Sequence, residues 1–236
     1  MRNVRAIWRR EVGSFFASPI AYAVATVFLV FSGLIFSLNV INSQEASLRG
    51  LQGTVGIILL FLAPVLSMRL IAEEQNTGTI ELLLTAPVRD VEVVIGKYLA
   101  SLTLLAGMLL LTIYYPIILY IYGQPDLGPI LAGYLGVLLA GGSFLAVGLL
   151  FSSLTRNQIV AAAGSIGVLL VFWFVNGAAQ SIPAPVSTIV RYLALSQHFN
   201  DFNRGVVDTQ DVAYYLSFIA VFLFLCVRSL ETRRWR

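Results

Sequence analysis

One lysine, one histidine and one cysteine stand in a chain of 236 residues: Lys97, His198 and Cys226. Each could do chemistry in the right company. A P-loop lysine sits in GxxxxGK[ST], where backbone N–H groups and the lysine cradle phosphates. Lys97 follows Gly96, but Tyr98 comes next and Val91 occupies the position of the first loop glycine. A zinc site needs four donors, mostly Cys or His, and one of each is too few. A serine nucleophile needs a base within reach and a turn that exposes it. Gly142–Ser143 has no such surroundings, and His198 is expected in a distant loop. The densest acidic group, Glu73, Glu74 and Glu81, has no histidine to work with. We therefore expect no bond chemistry from this chain: no enzyme, no catalytic residue, no metal and no cofactor of its own.

The elements that carry these residues explain the scarcity. Hydrophobic residues make up 58% of the chain and charged ones 11%. A soluble domain runs nearer about half apolar and roughly a quarter charged. Six runs are long and apolar enough to span a bilayer, at 19–41, 54–71, 98–122, 129–151, 158–180 and 212–230. Each approaches the ~20 residues a transmembrane helix needs. Lipid makes the backbone satisfy its own hydrogen bonds, so the expected fold is all-α: one polytopic membrane domain over 1–236. The first run is too long for a signal-peptide core and is expected to be retained. The lone Cys226, inside the last run, reads as an inert small hydrophobe.

Twelve of the fifteen basic residues fall on one side of these spans. Only Arg49, Arg191 and Arg204 fall on the other. The positive-inside rule then places both termini in the cytoplasm. Residues 1–18 carry Val4, Ile7, Trp8, Val12 and Phe15 at helical spacing, with Arg2, Arg5 and Arg9 on another face. That suits an amphipathic helix lying in the cytoplasmic interface. A basic anchor that only sets topology fits the same residues. Beyond span five, Pro183 and Pro185 break the helix, and Val186, Ile189, Val190 and Leu193 repeat at i, i+3, i+4, i+7. We expect an outer amphipathic helical segment there, stopped near Gly205, with Asp208 or Thr209 capping span six.

The loop between spans two and three is the informative stretch: EEQNTGTIELLLTAPVRD, residues 73–90. Gly78 permits a sharp turn out of span two. Thr79 can cap a short helix beginning there, and Glu81 suits its first turn. Ile80, Leu83 and Leu84 share one face, while Leu82 adds to the apolar character. Pro87 ends the turn. Arg89, Asp90 and Glu92 then lead into a helix through Lys97. The result is a two-turn apolar helix held in the cytoplasm, too short to span and in need of something to pack on.

GTIELLLTAPV followed by VVIGKYLA resembles the first cytoplasmic loop of ABC-2-type transporter permeases, through Gly78, Thr79, Glu81, Leu83, Pro87, Gly96 and Lys97. Gliding-motility-type and nitrous-oxide-accessory-type bacterial permeases are the nearest in kind. The six spans, the N-terminal interfacial helix and the outer segment before span six fit the same resemblance. It implies a permease subunit whose loop at 76–90 is a coupling helix, docked on a cytoplasmic ATPase. ATP and Mg²⁺ would then sit on that partner, present in two copies. A second permease copy or a sibling permease, the lipid bilayer and an accessory extracytoplasmic protein are the other expected partners, with no nucleic acid. The resemblance further implies a bacterial inner membrane and movement of cargo, in the export direction. The ATPase-coupling residues are then Gly78, Thr79, Ile80, Glu81, Leu82, Leu83, Leu84, Pro87 and Arg89. The competing class is a stand-alone carrier or channel. It should carry charge at mid-span, and no Asp or Glu lies there.

Lys97, Arg69 and Arg228, at inner helix ends, read as snorkelling anchors. Pro64 and Pro116 should kink spans two and three. Gly133, Gly136, Gly141, Gly142 and Gly148 in span four, and Ala163 with Gly167 in span five, read as packing seams. Tyr114, Tyr115, Tyr120 and Tyr122, with Phe172, Trp173 and Phe174, suit an outer aromatic belt. The sharper reading makes Tyr114, Tyr115, Trp173 and Asn176 the lining of a substrate path.

Overall fold

In the computed structural model, residues 2–43, 47–79, 88–178, 183 and 186–234 are described. Among them are eleven helices: α1 (Arg2–Ala17), α2 (Pro19–Ser43), α3 (Arg49–Ser67), α4 (Arg69–Thr77), α5 (Asp90–Leu111), α6 (Tyr114–Tyr122), α7 (Leu127–Leu154), α8 (Gln158–Ala178), α9 (Val186–Tyr192), α10 (Leu195–Arg204) and α11 (Thr209–Arg234). No strand occurs among the described residues. Six segments are long and apolar enough to cross a membrane, with mean hydropathy of 1.9 to 2.3. The protein is an all-α, multi-pass membrane protein.

Several helices outrun their apolar stretches. The second spanning segment extends to Thr77 and the third begins at Asp90. Polar turns continue these helices past the lipid, because helical hydrogen bonding does not stop where hydrophobicity does. The third segment is also broken, by turns at Thr112 and Ile113, rather than running as one helix. Pro116 has no N–H to give the Thr112 carbonyl four residues back. The Tyr134 hydroxyl, from α7, donates to that carbonyl at 2.9 Å instead.

The central element is α7, against which α3, α4, α5, α8, α10 and α11 all pack. Its glycines make this crowding feasible. A Cβ on Gly141 would press on Leu105 of α5, and one on Gly148 would collide with Ser67 of α3. Deleting side chains at these positions lets backbones approach closely. The pair in α8 behaves differently. Ala163 and Gly167 are exposed, and a Cβ on Gly167 would meet nothing within 4 Å, so they form no seam inside this chain.

Above α8 the outer segment holds two helices, not one. The expected helix is α9, and its Val186 and Ile189 are exposed. The buried one is α10, which presents Leu195, His198, Phe199 and Phe202 to the bundle. That series has the i, i+3, i+4, i+7 spacing of a core-facing stripe, and the sequence reading passed it over. Gly205 closes α10 in the left-handed conformation, φ 92°. The Asp208 carboxylate caps α11, accepting the Gln210 N–H at 2.9 Å.

Candidate coupling site

α4 packs against α7 and ends at Gly78, whose φ of 74° places it in the left-handed region that favours glycine. The Thr77 hydroxyl donates back to the Glu73 carbonyl at 2.9 Å and lies 2.9 Å from the Thr79 hydroxyl. Thr79 thus closes the end of α4. Ile80, Glu81, Leu82, Leu83, Leu84 and Pro87, expected to form the docking helix, lie outside the described residues. The chain is described again from 88. Arg89 is the N-cap of α5, and its N–H donates to Glu92 Oε2 at 3.1 Å. The same oxygen accepts from Asn3 Nδ2 at 3.0 Å, so the start of α1 is tied to the far edge of the loop.

Behind this edge lies a cluster of four charges that the sequence reading missed. Lys97 is 1% exposed, not snorkelling. Its Nζ donates to Glu74 Oε1 at 2.9 Å and to Glu11 Oε1 at 3.1 Å. Arg10 Nη2 reaches the same two oxygens, at 2.8 Å from Glu11 and 3.0 Å from Glu74. One helix contributes the cation at the centre, and two others contribute the carboxylates: Lys97 from α5, Glu74 from α4, Glu11 from α1. A lysine that far from water persists only because its charge is met by carboxylates. Burial pushes the Glu11 carboxyl up, but the Lys97 and Arg10 charges and their hydrogen bonds outweigh it and hold it below the usual carboxylate range. Arg10 is raised, chiefly by its hydrogen bond to Glu11.

Arg69, half-buried, is also held by the protein. Its Nη1 donates to Ser18 Oγ at 2.5 Å, and its guanidinium lies 5.2 Å from the centre of the Phe15 ring. This joins the start of α4 to the elbow between α1 and α2. Glu73, Thr79, Arg69 and the four clustered charges border a cavity of about 710 Å³, floored by Phe15 and Leu70.

A second attachment holds α4 to the centre of the bundle. The turn at Met68 separates α3 from α4. Ser152 of α7 repairs the break. Its hydroxyl accepts the N–H groups of Ile71 at 3.0 Å and Ala72 at 2.9 Å, and donates to the Met68 carbonyl at 2.7 Å. One turn along, Gln75 Nε2 donates to the Ser153 carbonyl at 2.9 Å. A displacement of Gly78 and Thr79 would therefore reach α1 and α5 through ions and α7 through hydrogen bonds.

The residues suggested for a substrate path lie in separate clusters. Tyr115 is buried, hydrogen-bonded to Ser32 at 2.9 Å and stacked on Phe36 of α2 at 4.7 Å. Tyr114 is 44% exposed beside it. Trp173 packs against Phe144 of α7 and Phe199 of α10. Asn176 is half-buried in the last turn of α8. His198, expected as an interfacial loop residue, is buried in α10. Its Nδ1 lies 2.6 Å from Asp211 Oδ1, its Nε2 faces the Tyr192 carbonyl at 3.0 Å, and its ring stacks on Tyr214 at 3.9 Å. Enclosed by these partners, it pins the outer segment to α11.

Comparison with known proteins converges on one class. A family model described as "ABC-2 family transporter protein" matches residues 11–235. Two curated relatives, each described as "Probable multidrug ABC transporter permease YbhS", come from Escherichia coli strains K12 and O157:H7. Each is 33% identical over 110 residues, which is 47% of this chain and 29% of the relative. The match thus spans less than a third of those relatives' length.

Proposed function

The chain belongs to the ABC-2 family of transporter proteins, and on that premise we propose that it is a permease subunit driven by a separate ATPase. The loop at 76–90 is the docking element, and α4 is the lever that carries its movement inward. Two ATPase copies, holding ATP and Mg²⁺, grip the loops of two permeases, either identical or siblings. Both termini and the loop face the cytoplasm of a bacterial inner membrane, and cargo moves outward. Gliding-motility-type and nitrous-oxide-accessory-type permeases are the subtypes the loop motif favours. The description of the Escherichia coli relatives as probable multidrug permeases makes drugs the first cargo to test.

The observation that carries this reading is the double anchoring of α4. A plain connector has no need of a buried ion cluster on one side and a three-bond serine on the other. The energetics rest on differential binding. The ATP-bound partner favours one arrangement of the bundle, and the shift it produces equals the difference in its affinity for the two arrangements. Driving such an equilibrium from mostly one state to mostly the other takes about 5.5 kcal/mol.

The test combines Glu81→Lys with Leu83→Asp, which reverses one charge on the docking helix and removes one apolar contact. A P-loop ATPase should co-purify with the unaltered chain and be lost from the double variant, with ATP-dependent transport abolished. A double variant that couples normally to its ATPase would overturn the docking assignment, and transport that proceeds with no ATPase present would assign the chain to the stand-alone carriers.

A further inference from the structure

α1 has a second stripe besides the one that packs on α5. Arg2, Arg5, Arg9, Val12 and Phe16 succeed one another at spacings of three and four, so they line one side of the helix. The three arginines are exposed. Val12 and Phe16 form one wall of a crevice of about 310 Å³ between α1, α2 and α5. Ala21 and Tyr22 of α2 and Gly107 and Leu111 of α5 form the others. A basic ramp therefore leads straight to an apolar slot.

The slot asks for hydrocarbon. The Thr103 hydroxyl is already engaged, accepting from Trp8 Nε1 at 2.9 Å and donating to the Leu99 carbonyl at 2.7 Å. The other hydroxyl of the lining belongs to Tyr22, which is exposed at the rim, and the remaining walls are apolar. Gly107 is the second clue. Glycine inside a helix is unfavourable relative to alanine unless a close approach demands it. Gly96, on the same helix, has that reason, because a Cβ there would press on Ile7 of α1 at 2.8 Å. Gly107 has none, since a Cβ would meet nothing within 4 Å. No protein atom nearby requires the glycine, and its lack of a side chain leaves that wall of the slot open.

We propose that this slot seats one acyl chain of an anionic phospholipid, with Arg5 and Arg9 holding its phosphate. The chain's exit beside exposed arginines on an interfacial helix matches how a basic amphipathic helix meets an acidic leaflet. Assigning that lipid to the cytoplasmic leaflet rests on the topology proposed above; the binding site itself does not. The site makes the lipid a wedge between α1 and α2, next to the helix that holds Glu11 against Lys97.

The full chain in neutral detergent, titrated with phosphatidylglycerol or with phosphatidylcholine of the same acyl chains, provides the test. Bound lipid is counted by mass spectrometry. The unaltered chain should retain phosphatidylglycerol over phosphatidylcholine by roughly thirtyfold, the scale set by two arginines near an anionic headgroup. Arg5→Gln with Arg9→Gln should abolish the preference while both lipids still bind. Gly107→Leu should fill the slot and reduce retention of both, with thermal unfolding of the lipid-free chain not lowered, because a Cβ there meets no protein atom within 4 Å and the rest of the side chain extends into the open slot. A phosphatidylglycerol with a photoreactive acyl chain should label 12–25 and 100–111, which serves if Gly107→Leu fails to fold. Equal retention of the two lipids, full retention by Gly107→Leu, or labelling confined to other segments overturns the proposal. Labelling of Ser14→Cys from the outer face of the membrane would overturn the topology alone, because lipid retention in detergent would persist.

Discussion

Lys97→Met is expected to release α1 from the bundle and to cost the protein about 3–5 kcal/mol, the usual penalty for stripping one partner from a buried ion pair. Methionine has nearly the length of lysine, so the loss is of charge rather than volume. Glu11 Oε1 and Glu74 Oε1 each lie about 3 Å from the lysine nitrogen, at 3.1 and 2.9 Å. With the lysine gone, both carboxylates face one another with Arg10 alone between them, and the Arg10 side chain is 57% exposed. Water weakens what so exposed a cation can offer. The Glu11 carboxyl therefore favours its proton more than it does in the unaltered chain, where it sits below the ordinary carboxylate value of 4.5. Its contribution to stability is present above that value and lost as pH falls through the lowered one. In Lys97→Met the same loss should begin at higher pH, so the acid limb of the stability curve shifts upward. Cysteines at Asn3 and Glu92, positions whose side chains meet at 3.0 Å in the unaltered chain, report on α1 directly. A bifunctional thiol reagent should join them efficiently in the unaltered background and poorly with Lys97→Met. The native Cys226 is buried and should add little background. Adding Glu74→Gln should restore part of the lost stability, because it removes the carboxylate that methionine left stranded. Unchanged cross-linking together with an unchanged acid limb would mean that the cluster bears no load.

The elements of this fold were legible wherever the governing physics is local. Lipid demands about 20 apolar residues in a row, and such runs announce themselves. The helix break before Pro116, the Gly78 turn and the glycine face of α7 also come from a residue and its immediate neighbours. The Lys97 cluster was not legible for the opposite reason. Its partners lie 86 and 23 residues away, and the lysine stands at a helix end, where snorkelling is the ordinary expectation. Arg69 misled in the same way, since Ser18 is 51 residues distant. α10 was hidden differently. Its apolar stripe is present in Leu195, Phe199 and Phe202, but His198 completes it, and a histidine reads as polar until Asp211 and Tyr192 are seen around it. For the docking helix, the sequence motif of residues 80–87 carries the whole argument.

Ser152→Ala isolates the other attachment of α4, and it should separate binding of the motor from response to it. The serine hydroxyl has one donor and two acceptor positions. Here all three are used on backbone groups of a single helix break: Met68 O, Ile71 N and Ala72 N. Ser152 is fully buried, so water cannot take over. Alanine leaves two N–H groups and one carbonyl without partners, each worth ~1–3 kcal/mol when orphaned in a buried site. Part of that will be recovered as the Met68 turn tightens or unwinds, and the expected net loss is about 3 kcal/mol. The loss is confined to the junction of α3 and α4, because Gln75 still holds the Ser153 carbonyl one turn away. Hydrogen exchange at Ile71 and Ala72 should accelerate by about two orders of magnitude, matching that loss. Exchange in the middle of α7 should not change. Under the proposed function, the docking loop remains intact in this variant, so the ATPase should still co-purify and still turn over ATP. Transport per ATP should fall, since a lever with a loosened fulcrum delivers less of its stroke to α7. Slow exchange at Ile71 and Ala72 with full transport would place the fulcrum elsewhere, and loss of ATPase binding would show that Ser152 shapes the docking loop itself rather than the path behind it.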